Sequence, residues 1–159
     1  MLCRLLYASR IADTATAQIA TTMADILVVS ARCNRRDAIT GLLLANGECF
    51  VQALEGPDRL VTACYERILV DERHRDVRLR LLAGIDERQF PRWSMCGLYL
   101  SDLDDTILAP PDIGFDLIDA DAGALLQHLE GISLRHAHRL DTLHERLVAQ
   151  AGQARPGRA

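Results

Sequence analysis

The stretch "AITGLLLANGECFVQALEGP", Ala38 to Pro57, decides the fold. Two apolar runs flank Asn46-Gly47, a pair that tolerates positive φ and joins antiparallel strands in a tight hairpin. In the second run, alternation points Phe50, Gln52 and Leu54 one way, and Val51 and Ala53 the other. A glutamine thus lies on an apolar face, and an unpaired buried amide costs about 1–3 kcal/mol. That face must supply Gln52 with a hydrogen-bond partner.

Outward from the hairpin the pattern is nearly symmetrical. Upstream, residues 2–9 read as a short apolar strand. Residues 13–34 read as a helix, capped by Asp13 or Thr14, with apolar Ile19, Met23, Ile26 and Leu27 at helical spacing. Downstream, residues 56–74 read as a second helix opened by Pro57 and Asp58 and carrying Leu60, Cys64 and Ile68 every four residues. Strands come next in 77–90 and 93–101. The order β-α-β-β-α-β plus one strand is an α+β, ferredoxin-like arrangement, with two helices side by side on one face of a mostly antiparallel sheet.

The opposite face carries Val51 and Ala53 and needs a cover. Beyond a loop at 103–117, leucine stripes mark two helices, 121–133 and 134–150, suited to capping the back of the sheet or meeting a second copy. The expected organisation is a sheet domain over 1–101, a helical extension over 102–150 and a frayed tail over 151–159.

Composition narrows the function. The 159 residues carry a net charge of −4, with 18 basic residues, all arginine, so no broad basic footprint for nucleic acid is expected. Five cysteines (Cys3, Cys33, Cys49, Cys64, Cys96) stand far apart without a CxxC pair, arguing against a disulfide framework and a zinc site. No secretory h-region or run of about 20 apolar residues is present, so a cytoplasmic protein without a membrane role is expected. His136 and His138, two apart on a helix, leave on different faces and make a poor metal pair.

In a sheet of this order the first and third strands lie side by side, which sets Tyr7 near Gln52; a buried tyrosine satisfied by an amide would be a sufficient explanation. Asn34 at a helix end can terminate it in the left-handed region. Arg67 and Asp71, four apart, can form a helical ion pair, and His74 can favour a helix C-terminus.

Five blocks in order, "RLLYASR" (4–10), Asn34 with "TGLLL" (40–44), "FVQALEGP" (50–57), "YERILVDERH" (65–74) and "RQFPRWSM" (88–95), resemble the BLUF family, blue-light sensors that use FAD. The resemblance runs from residue 1 to about 101. It implies a flavin, FAD with FMN or riboflavin as alternatives, between the two helices. Tyr7 then corresponds to the photoactive electron and proton donor, and Gln52 to the amide that bonds both tyrosine and flavin and switches its hydrogen bonds. Asn34 corresponds to the asparagine that binds the ring edge. Ile26 and Ser30 line the slot, Phe50 frames it, and Arg67, Asp71, Arg73 and His74 reach the other edge. Trp93 and Met95 correspond to the mobile pair of the last strand, expected on one face. Cys33 stands where many relatives have asparagine or histidine.

The implied protein is a photoreceptor and not an enzyme. A homo-oligomer is expected, and the signal is expected to pass to a separate effector protein, because the roughly 58 residues after the sheet are too few for a typical output domain. A flavin-binding redox sensor without a photocycle and a ferredoxin-like ligand-binding domain are the alternatives.

Overall fold

The computed structural model describes residues 1–99 and 118–153. Strand β1 (Leu2–Ile11) leads through a single helical turn, α1 (Asp13–Thr16), into α2 (Ile19–Arg36). Strands β2 (Thr40–Ala45) and β3 (Cys49–Pro57) form the hairpin. Next come helix α3 (Asp58–Leu69), β4 (His74–Ile85) and β5 (Cys96–Tyr99), then α4 (Ala122–Arg135) and α5 (Ala137–Gln153). The sheet order is β4-β1-β3-β2-β5, antiparallel except for the β2–β5 pair. The expected ferredoxin-like arrangement holds.

Alternation sorts the core into two layers. Leu5, Tyr7, Leu43, Phe50 and Leu54 face α2 and α3. Leu6, Ala8, Leu42, Leu44, Val51 and Ala53 face the other way, against Leu125, Leu129, Ile132 and Leu140 of α4 and α5. The C-terminal helices therefore cap the back of the sheet. Helix α5 also reaches round to α2, with Leu147 buried in the front layer.

Local chemistry departs from expectation at several points. Neither Asp13 nor Thr14 caps the first helix. Ala12 holds that position and its carbonyl collects the Ala15 and Thr16 amides, so the turn closes through backbone. The helix then breaks at Gln18 (φ −134°) before α2 begins. The hairpin uses no positive φ. The Asn46 Oδ1 instead accepts from the Glu48 and Cys49 amides, so the asparagine side chain makes the turn. Asn34 does not end its helix; α2 runs on to Arg36, and the left-handed residue is Ala38 (φ 54°). The Ala38 carbonyl is held there by the Arg88 guanidinium.

The second helix stops at Leu69, because the Asp71 carboxylate folds back to accept from the Arg73 amide and His74 already pairs with Ile11 in the sheet. Asp71 thus ion-pairs with Arg73, and Arg67 faces Asp37 at 3.9 Å. The loop expected at 103–117 lies outside the described residues, as does the tail beyond 153; α5 itself runs three residues past the expected end.

Candidate functional site

Between α2 and α3, above the centre of the sheet, lies a cavity of about 230 Å³. It is smaller than the roughly 300–1,000 Å³ that encloses a drug-sized ligand, which suits a planar ring with the rest of its molecule outside. Its floor is the point where β1 and β3 pair with Tyr7 directly opposite Gln52. The Tyr7 hydroxyl donates to Gln52 Oε1 at 2.6 Å, and Gln52 Nε2 donates to Met95 Sδ at 3.1 Å. Both polar side chains are buried, so the partner that the sequence demanded for Gln52 is present twice over. Burial, reinforced by Cys64, Asp71 and Tyr65 nearby, pushes the Tyr7 phenol well above its ordinary range and keeps it protonated.

One wall comes from α2, where Ile26, Ser30 and Asn34 recur at intervals of four and so share a face. Asn34 is 1% exposed; its Oδ1 has only a distant Cys64 thiol at 3.9 Å and its Nδ2 has no partner at all. A buried amide N–H without an acceptor costs about 1–3 kcal/mol, which marks a place prepared for a ligand acceptor. The opposite wall comes from α3 and the turn after it: Arg67, Asp71, Arg73 and His74. Burial acts to raise the Asp71 carboxyl, but hydrogen bonds from the Arg73 side chain and backbone override it and leave it below the ordinary range. The His74 Nδ1 bonds Ser9 Oγ at 2.8 Å, and burial pushes its imidazole down to about 4.

Of the residues expected to hold the ring, Phe50 alone does not reach the cavity; it is fully buried and packs against His74 with the rings tilted and their centroids 4.7 Å apart. Val29, Cys64 and Ile68 line it as well, outside the expected set. Helical spacing held the signal: Val29 lies three residues from Ile26, and Cys64 lies three from Arg67 and four from Ile68. Cys33 does line the cavity.

Trp93 and Met95 are not on one face. Met95 lies in the front layer under Gln52, whereas Trp93 lies in the back layer, where its Nε1 donates to Asp141 at 3.1 Å. The strand begins only at Cys96, and the bends at Ser94 and Met95 break the alternation.

A family model described as "Sensors of blue-light using FAD" matches residues 2–96. The chain belongs to the BLUF family. Among curated relatives, the blue light- and temperature-regulated antirepressor BluF of Escherichia coli is 33% identical over 72% of this chain, which covers 28% of that protein. The photoactivated adenylate cyclase subunit beta of Euglena gracilis is 41% identical over 44% of this chain and 8% of its own length. The chain thus spans a minor part of these relatives. Among solved structures, the BlsA ground state superposes with a TM-score of 0.72 at 28% identity, covering 82% of this chain and 88% of the other. Dark-state BlrB gives 0.64 at 33% identity, covering 82% and 92%.

The residues present fit a flavin. Asn34 offers one unpaired donor and one nearly free acceptor side by side, the complement of an imide edge that carries a carbonyl and an N–H. Arg73 and His74 supply polar contacts opposite, and Ile26 and Ile68 supply apolar cover.

Proposed function

We propose that this chain is a blue-light photoreceptor in which FAD occupies the α2–α3 cavity and in which Tyr7 and Gln52 carry the photochemistry. The observation that carries this reading is the continuous buried chain from the Tyr7 hydroxyl through the Gln52 amide to Met95 Sδ, beneath a cavity whose wall holds the unpaired Asn34 amide.

A bound flavin excited by blue light supplies a strong oxidant. Tyr7 is the electron donor, and its proton has a ready acceptor in Gln52 Oε1. The Gln52 amide can exchange its donor and acceptor ends by tautomerising or rotating about its last bond. Rotated, it sets an oxygen against Met95 Sδ, where neither atom carries a hydrogen, and the contact is lost. Both the electron and the proton return to Tyr7, so the cycle closes without consuming a substrate. Ile26, Val29 and Ile68 keep water from competing for these bonds.

In this reading Asn34 and Ser30 bind the ring edge. Arg67, Asp71, Arg73 and His74 hold the other side, and Phe50 supports His74 from below. The chain acts as a sensor without enzymatic turnover, as a homo-oligomer passing its signal to a separate effector protein. Among the described residues no helix is long and apolar enough to cross a membrane.

The test is a light-minus-dark absorption spectrum of the purified protein, with the extracted flavin identified by mass. The expected result is a small, reversible red shift that vanishes in Tyr7→Phe and in Gln52→Leu with flavin retained. A protein that takes up no added FAD overturns the reading. A Tyr7→Phe variant with an unchanged photocycle would move the assignment to a redox sensor.

A further inference from the structure

Residues 92–96 bury Trp93 and Cys96 in the back layer and Met95 in the front, and every polar group along them that reaches a helix reaches the same one. Arg92 pairs with Asp141, and its guanidinium lies 5.5 Å over the Trp93 ring. Trp93 Nε1 donates to the other oxygen of Asp141. The Ser94 amide donates to His144 Nε2 at 3.3 Å, with Ser94 Oγ 3.0 Å from the same nitrogen. Cys96 Sγ donates to the Leu140 carbonyl at 3.2 Å. Leu140, Asp141 and His144 are one turn of α5. Between Ser94 and Cys96 stands Met95, whose sulfur accepts from Gln52.

We propose that Asp141 and His144 form a latch on residues 92–96 that holds Trp93 on the back face and Met95 beneath Gln52, and that protonation of His144 opens it. Both are positioning residues: they touch neither cavity nor flavin. Their consequence for light signalling rests on the photoreceptor reading above, because the latch makes α5 the element that first registers a loss of the Gln52–Met95 contact.

The geometry dictates the mechanism. A backbone N–H can only donate, so His144 Nε2 must be an acceptor and the imidazole must carry its proton on Nδ1. A second proton removes the acceptor for the Ser94 amide and sets N–H against N–H, leaving the Ser94 hydroxyl as the one group there that can accept from it. Meanwhile Trp93 cannot leave the back face without surrendering its bond to Asp141. The two bonds therefore tie the adjacent residues Trp93 and Ser94 to one turn of α5, and Met95, next along, cannot turn without disturbing them.

The groups around His144 act in both directions. Asp141 and Glu145 on α5 favour its cation, and Arg35 from α2 disfavours it; burial, the largest influence, leaves the imidazole below its ordinary value. The latch is therefore fully closed above the ordinary imidazole range and opens as the pH falls below it.

Trp93 is the single tryptophan of the chain and 3% exposed, so the emission of the flavin-free protein reports the latch directly. The experiment measures emission maximum and acrylamide quenching of the flavin-free 159-residue chain from pH 8 to 5. Wild type should emit at short wavelength at pH 8 and shift to the red on acidification, reversibly. Asp141→Ala/His144→Ala should give the red-shifted, readily quenched emission already at pH 8. Loss of one such hydrogen bond shifts a two-state population by about tenfold. His144→Gln keeps an acceptor that does not titrate, so it should match wild type at pH 8 and lose the acid shift. His138→Ala, exposed on the same helix, should behave as wild type. The proposal is overturned if the double variant folds with unchanged emission, or if His144→Gln retains the full acid shift. Because flavin is absent, these outcomes are independent of whether the photocycle requires Tyr7.

Discussion

Asn34 Nδ2 is a buried donor waiting for an acceptor, and its effect on affinity follows from its neighbours. In the complex proposed here Asn34→Ala would remove both ring-edge bonds, at little cost to the free protein, since that donor had no partner to lose. Flavin affinity should fall by about tenfold per bond lost, measurable by titration with FAD. His74 carries a second prediction. Its imidazole is held down to about 4 by burial, against an ordinary value near 6.5, so the unfolded chain takes up a proton that the folded one refuses. Stability is thus complete above about pH 6.5 and falls as the pH drops towards 4, by up to about 3 kcal/mol. Urea unfolding at pH 7.5 and 5 should show the decline, and His74→Gln should flatten it. Gln52 was legible as a buried amide from alternation alone. That Met95 and not Trp93 lies beneath it was not, because the bends at Ser94 and Met95 arise from contacts with a distant helix.

At the scale of elements, the β4–β5 connection is held by a carboxylate inside the protein. Glu55 of β3 is fully buried, and it accepts from Arg4 Nε and from the backbone amides of Gln89 and Phe90. Nothing in "FVQALEGP" announces this: alternation assigns Glu55 to the same face as Val51 and Ala53, and a carboxylate is acceptable there only because distant chain segments converge on it. Glu55→Ala leaves Arg4 and two amides unpaired, so it should destabilise the protein by about 3–5 kcal/mol in chemical denaturation. Ala38 predicts the opposite sign. Its φ of 54° is a conformation that an L-residue adopts at a cost of roughly 1–2 kcal/mol. Ala38→Gly should recover part of that, less the added chain entropy of glycine, and raise the melting temperature slightly.

For the whole molecule, the back layer explains why the sheet domain needs the two C-terminal helices. Leu42, Leu44, Val51, Trp93 and Leu98 are buried against α4 and α5. Leu140 is fully buried among them and sits in the turn that meets residues 92–96, so Leu140→Ala should cost about 2–5 kcal/mol in urea denaturation. The order of elements, both faces of the central hairpin and the opposition of Tyr7 and Gln52 were all determined by the sequence, while the α2 wall of the cavity was implied only by the family resemblance. Each of the first three follows from a period of 2 or 3.6 and from strands whose neighbours are set by short connections. The tertiary structure alone decided the left-handed Ala38, the opposite facing of Trp93 and Met95 and the grip of Asp141 and His144. These depend on hydrogen bonds between residues about 50 apart in the chain, such as Arg88 with Ala38 and Ser94 with His144, and local periodicity carries no record of such partners.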